Sequence, residues 1–378
     1  MVHSKALFKL QKSFILTFLS ILCFNMVFAS SNGGHSTEPV KEKEFDVNGM
    51  IMHHIKDAHE WHLWGSEHNG TTIYLPIILI DGGIKTFSSA YFYHGKIVTI
   101  KDEKTGDLTE FISGVGPAKG YAMYHEKLYK LSNGNLTIND GHVHGNSKVL
   151  DFSITKNVLS LFMGAFFILV IMSSVARFYK KNGAVAPKGL AKFLEPLIVM
   201  VRDDVAKSNI GEHKYKKYVP YLLTIFFFIF FNNLLGLIPI LPGGANLTGN
   251  ISVTLFLAVC TLLVTLFSSN KNYWKHIFAT PGVPVALLPI MIPIEMVGIL
   301  TKPFALMIRL FANMTAGHII VLALVSIIFI NKNVAWGALS VPMALFISVL
   351  ELLVAFLQAY LFAMLSALFI GGAVEEHH

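Results

Sequence analysis

The sequence predicts an all-α polytopic membrane protein with five crossing helices, one interfacial helix and a small extracytoplasmic N-terminal domain with β structure. Two observations carry that expectation. Mean hydropathy is +0.57 and 53% of the residues are hydrophobic, more apolar surface than one soluble core hides. The composition also switches near residue 156, from a polar, histidine-bearing stretch to apolar runs of the ~20 residues that a membrane crossing needs. The net charge of +7 does not point to nucleic acid. Its basic residues flank apolar segments and form no continuous patch interleaved with aromatics, so they act as topology signals.

The elements follow in chain order. Residues 1–29 have the pattern of a secretory signal: Lys5, Lys9 and Lys12, then the apolar FILTFLSILCFNMVF, then small residues at Ala29 and Ser30. An uncleaved anchor helix is the alternative, disfavoured because the apolar run is short for a span. Cys23 and Cys260 fall in separate apolar runs, so no disulfide is implied.

Residues 30–155 form the exported domain. Thr71 to Ile80 (TTIYLPIILI) and Ala90 to Ile100 (AYFYHGKIVTI) have strand composition, with Gly, Asn and Asp punctuating them. The segment MHHIKDAHEWHLW gathers His53, His54, His59 and His62. Read as a helix, it puts His59 and His62 on one face with His54 a little over a turn earlier. These three are the metal-ligand candidates, for zinc or copper. No cysteine joins them, and the interleaved tryptophans suit a solvated amphipathic helix better. His142 and His144 belong to a Gly/Asn-rich loop.

Residues 156–378 form the membrane domain. Asn157 to Ala176 is the first span, and the stretch from Arg177 to Val219 carries ten Lys or Arg against four acids, which assigns it to the cytoplasm. That orientation agrees with an exported N-terminal domain. Leu190 to Ile210 is too charged to cross and apolar on one side, so it is the interfacial helix. The second span follows Pro220 and returns to the outside at the loop GGANLTGN. Asn250 to Ser269 is the third. Residues 284–330 and 337–370 are two longer apolar stretches, the first roughly 70 Å if helical throughout, which suits steep tilt unless Pro289, Pro293 or Pro303 divides it.

These last two stretches hold Glu295, Lys302, Arg309, Asn313, His318, Glu351 and Gln358. Ionisable groups inside spans are costly and mark function by default, the bland alternative being paired glue between helices or snorkelling, which suits Lys302 best. Glu295, Lys302 and Arg309 recur every seven residues and so drift only about 20° per step along one stripe. Asn313 lies one turn past Arg309. His318 is nine residues from Arg309 and therefore on the opposite face, about 13 Å along the axis. Antiparallel helices place His318 and Glu351 at one outer depth and Glu295 at an inner one. A histidine beside a carboxylate suits a proton relay, whereas an arginine does not deprotonate and serves as a barrier or electrostatic partner.

At these residues the chain resembles the a subunit of the F-type ATP synthase membrane sector. RLFANMTAGH matches that family's arginine helix, ELLVAFLQAYLFAMLSALFI its final helix and FNNLLGLIP (Phe231 to Pro239) a third motif, over residues 157–370. The resemblance implies that Arg309 faces a ring of c subunits and separates two offset aqueous half-channels. It implies that Asn313, His318, Glu351 and Gln358 lie near the arginine or along the outer half-channel, and that Glu295 lies on the inner path. His318 with Glu351 resembles the mitochondrial arrangement, exchanged relative to many bacterial relatives, and Ala312 stands where many of those have glycine. The implied partners are the c ring, a b-type peripheral stalk, the other synthase subunits, lipid and H+, with Na+ left open. No cofactor, nucleic acid or covalent chemistry on this chain is implied, and the implied location is a bacterial inner membrane with the mature N-terminus periplasmic and the C-terminus cytoplasmic. The rival reading is a secondary transporter whose central arginine binds an anionic substrate, which predicts internal repeats and discontinuous helices around a midplane pocket.

Overall fold

The computed structural model describes residues 47, 51, 55–64, 71–102, 104, 106, 108–132, 134–139, 141–183, 185–187, 189–238, 244–278 and 287–375. The segment expected to be a signal peptide and His54 lie outside these residues.

The N-terminal region is built from short antiparallel strands. Hairpin β1 (Glu60–Trp64) with β2 (Thr71–Tyr74) stands beside a three-stranded sheet that pairs β3 (Pro76–Ile80) with β4 (Ile84–Ser88) and with β11 (Leu150–Asp151). A four-stranded meander follows: β5 (Lys96–Lys101), β6 (Leu108–Ser113), β7 (Tyr121–Tyr124) and β8 (Lys127–Lys130). β9 (Ile138–Asn139) and β10 (His142–Val143) make a last small pair. All four residues of β7 are buried. Alternate side chains serve two cores, Tyr121 and Met123 joining Ile77, Leu79 and Phe92, while Ala122 and Tyr124 join Phe111 and Ile138.

Three expectations for this region are corrected. His59 to Trp64 is not helical: Glu60–Trp64 is a strand, as the polar–apolar alternation of Glu60, Trp61, His62 and Leu63 dictates, and pairing with β2 buries Trp61. The stretch Ala90 to Ile100 divides into a helical turn, Ala90–Tyr93, and β5. His142 is part of β10 instead of a free loop.

His59, just before β1, is buried at the seam between this region and the first membrane helix. Its Nε2 lies 3.3 Å from Asp151 Oδ2 and its Nδ1 3.7 Å from Glu126 Oε2. Glu126 and His125 hold the β7–β8 turn with φ of 62° and 49°, left-handed values that non-glycine residues keep when other contacts hold them. Nearby, Asp57 accepts hydrogen bonds from Thr155 Oγ1 at 2.9 Å and Asn157 N at 3.0 Å. A carboxylate thus sits at the positive end of the helix dipole.

Burial alone would pull the His59 pKa down, but hydrogen bonds and charge from Asp151 and Glu126 prevail and raise it from 6.5 to about 9. The folded value is the higher one, so the contribution is complete below pH 6.5 and is lost as pH rises through about 9. It amounts to about 3 kcal/mol. Limited proteolysis of this region in whole membranes is expected to accelerate between about pH 7 and about pH 10 in the wild type. His59→Gln should flatten that dependence, and an equal pH slope in both chains would contradict the account.

Among the described residues, five helices of the membrane region are long and apolar enough to cross a bilayer: α1 (Lys156–Asn182), α3 (Tyr215–Leu237), α4 (Ile251–Ser268), α5 (Leu288–Ile330) and α6 (Gly337–Val374). Between the first two lies α2 (Leu190–Met200), continued by a π-helical segment (Val201–Lys207) and a last turn (Ser208–Ile210). This is the segment expected at the interface, and its apolar side packs into the bundle through Leu194, Val201, Val205 and Ala206. Gly371 of α6 admits the Asn209 carbonyl where a Cβ would overlap it.

α5 and α6 run unbroken for 43 and 38 residues. Pro293 and Pro303 sit inside α5 without dividing it, and Pro289 falls in its first turn. At 1.5 Å per residue they reach about 65 and about 57 Å, roughly twice the hydrocarbon thickness.

Phenylalanines fill the centre. Phe226 and Phe230 of α3 meet the edge of Phe356 of α6 at ring separations of 6.1 and 5.9 Å. Gly164 near the start of α1 faces Asn232 near the end of α3, as antiparallel neighbours must, so the Leu237 end of α3 lies on the side of the β-rich region. The loop after α3 packs inward, with Ala245, Asn246, Leu247 and Thr248 buried.

Candidate functional site

Arg309 lies midway between the ends of α5. Leu306, Met307, Leu310 and Met314 turn one side of that helix into the bundle, which leaves Arg309 and Asn313 exposed on the other. Small residues flank them on the same exposed side: Ala305, Ala312 and Ala316. Among the described residues the guanidinium makes no hydrogen bond or ion pair. A permanent cation thus stands on an apolar helix face, over a shallow strip that a second helix can approach closely.

His318 occupies the opposite side, as its nine-residue offset predicts. It is half-buried, and its Nε2 lies 3.8 Å from the position a Cβ would take on Gly236 of α3. From α6, the Glu351 carboxylate fills the space beside Gly317, the residue preceding His318. The two glycines therefore let α3 come close to His318 and α6 close to the residue that precedes it. Gln358 is buried on α6, two turns beyond Glu351.

Glu295 is apart from both groups, near the start of α5. Its neighbour is Tyr273 on the short amphipathic helix Lys271–Phe278, whose pKa is raised by burial and then by the Glu295 charge. A cleft beside it is lined by Thr261, Thr265, Tyr273, Lys302 and Phe369, with Lys302 Nζ 5.6 Å from the Phe369 ring centre. Above the cleft, hydroxyls link three helices: Tyr221 Oη lies 3.1 Å from Thr261 Oγ1, which lies 3.3 Å from Ser366 Oγ.

The six transport candidates thus fall into three places: Arg309 and Asn313 on the exposed face, His318, Glu351 and Gln358 on bundle-facing sides, and Glu295 at the cleft end. Three further polar residues are buried near His318, namely Asn233, Asn246 and Thr248, the last donating to Asn233 Oδ1 at 2.6 Å. For Asn233 the sequence signal was an Asn-Asn pair beside a phenylalanine run; Asn246 and Thr248 carry none. As for metal, His59 is engaged by Asp151 and Glu126, and His62 lies on a strand. No group of three or more His, Cys, Asp or Glu is placed to hold an ion among the described residues.

The family profile described as ATP synthase A chain matches residues 158–371. The chain belongs to this family. Similar relatives include the ATP synthase subunit a 2 of Chlorobaculum tepidum, 54% identical over 233 residues, covering 60% of this chain and 64% of the relative. That of Chlorobium luteolum is 52% identical over 60% of this chain and 67% of the relative, and the ATP synthase subunit a of Chloroherpeton thalassium is 48% identical over 60% and 69%. The chain therefore spans just under two thirds of the first of these relatives and slightly more of the others. Residues 50–152 match a second family, described as a domain of unknown function (DUF8433). The A-chain match holds all six transport candidates, whereas His59 and its carboxylates lie in the second.

Proposed function

We propose that this chain is the proton-conducting stator subunit of a rotary F-type ATP synthase, forming two half-channels against a c ring and coupling H+ movement to rotation and ATP synthesis. The observation that carries the reading is Arg309, a cation midway along an uncovered helix face and separated by the helix body from His318, with Glu351 beside the preceding Gly317. A proton arriving from outside reaches His318 and Glu351, passes to a c-subunit carboxylate and neutralises it. The neutral carboxyl then enters lipid without the cost of a buried charge. After nearly a full turn it releases the proton on the side of Glu295, Tyr273 and Lys302.

Arg309 draws the emptied carboxylate and blocks a direct leak. Each charge crossing 100 mV supplies about 2.3 kcal/mol, so several ions serve each ATP. Water in the half-channels keeps the Arg309 pair weak enough to release. The chain performs no bond chemistry itself. Its further partners are a b-type stalk and the remaining synthase subunits, and it resides in a bacterial inner membrane with the β-rich region periplasmic and the C-terminus cytoplasmic.

The transporter reading expects broken helices around a central pocket. α5 and α6 are continuous, and Arg309 points away from the bundle. The test is ATP-driven proton uptake into inverted membrane vesicles that contain the assembled complex. The expected result is uptake that needs this chain and no added Na+. A strict Na+ requirement would replace the ion, and uptake unaffected by deleting the chain would end the proposal.

A further inference from the structure

The loop after α3 does something unusual for a connection between two spans. Gly244 N donates to Leu235 O at 3.3 Å and Thr248 Oγ1 donates to Asn233 Oδ1 at 2.6 Å, so residues 244–248 run back beside the last turn of α3. The descent is about 6 Å from the helix end. Ala245, Leu247 and Thr248 are each 1% exposed and Asn246 6%. Irregular backbone at such depth is tolerated only where protein buries it or where it lines a water-filled cavity.

Two side chains favour the cavity. Nδ2 of Asn233, a fully buried residue, and Nδ2 of Asn246 have no hydrogen-bond partner among the described residues. Leaving a buried amide unsatisfied is costly, and native proteins commonly meet such groups with ordered water. The loop is also next to the relay. A Cβ at Gly236 would stand 3.2 Å from Ala245 O and 3.8 Å from His318 Nε2, so the loop backbone and the histidine meet at one glycine. Asn233 lies three residues earlier on α3.

We infer that this loop roofs the external inlet of the proton path: water held by the Asn233 and Asn246 amides delivers the proton to His318, and the Thr248–Asn233 hydrogen bond latches the roof. The inference rests on the proposed function and adds three positioning residues to it. The proton arrives on water and leaves on the His318 ring, so no bond other than O–H and N–H is made or broken.

The test uses the assembled complex in inverted vesicles, in a chain whose Cys23 and Cys260 are replaced by serine. Asn246→Cys and Thr248→Cys each place a thiol at the inlet, and Phe256→Cys places one on the exposed side of α4. With Ag+ trapped in the lumen, the external side, ATP-driven uptake through either loop variant is expected to fall at least tenfold while Phe256→Cys is unaffected. Either loop position that assembles decides the matter, because Thr248 is the latch donor and Asn246 lies two residues before it. Uptake that depends on Arg309 yet ignores Ag+ at the loop positions would overturn this inference alone. Uptake that persists in Arg309→Ala would count against the proposed function instead.

Discussion

Arg309→Ala is expected to reduce ATP-driven proton uptake by about 100-fold or more, a loss of about 3 kcal/mol or more of coupling, with the complex still assembled. Assembly survives because the bundle does not use this side chain: Leu306, Met307, Leu310 and Met314 make the packing on α5, and Arg309 is exposed with no partner among the described residues. Its cost in lipid is about 2.5–3.5 kcal/mol or more, and the proposed mechanism meets it with an external carboxylate standing against it. Removing it leaves that carboxylate without a reason to release its proton. It also removes the positive barrier between the two halves, so passive proton flow through the membrane sector should rise. Arg309→Lys should fail too, because a lysine in a low-dielectric site sheds its proton and stops acting as a fixed charge. The deciding measurement is uptake against complex content, and wild-type pumping by the alanine variant would leave Arg309 no part in coupling.

The two faces of α5 were legible because helical geometry is local. A nine-residue offset puts His318 behind Arg309 whatever the partners are, and the structure keeps it there. The sequence expected Glu351 at the depth of His318, and the structure places its carboxylate beside Gly317, the preceding residue. What the sequence hid depends on distant partners. The GGANLTGN loop has turn composition, and its contacts with α3, Gly244 to Leu235 and Thr248 to Asn233, turn it inward. The histidine run was misread because its spacing suited a helix as well as a strand, whereas burial of Trp61 and pairing with β2 decide the matter. His59 acquired its role from Asp151 and Glu126, which are 92 and 67 residues away. The prolines of α5 were over-weighted. Pro293 and Pro303 each remove one donor, and a helix of 43 residues held by α4 and α6 absorbs both.

Gly317→Ala tests the other half of the site. A methyl group there would overlap the Glu351 carboxylate, so the acid must rotate away or α5 and α6 must separate. The helices share a long contact that one methyl does not open, so rotation of Glu351 is the cheaper response. Moving the acid from the residue beside His318 breaks the geometry of proton transfer, which needs heavy atoms within hydrogen-bond reach or one water apart. Uptake should fall at least about tenfold while the complex assembles, since an error of about 1 Å at such a site is enough for a loss of that order. Shortening the acid relieves the overlap, so Gly317→Ala with Glu351→Asp should recover part of the activity that either change alone removes. That sign of coupling distinguishes a positioned carboxylate from a packing defect, in which the two losses would add. Gly298→Ala supplies the comparison on the same helix: nothing stands within 4 Å of the added Cβ, and uptake should not change. If Gly317→Ala pumps like Gly298→Ala, the Glu351 carboxylate has no fixed place in the proton path, and the outer half-channel must be sought on another side of α6.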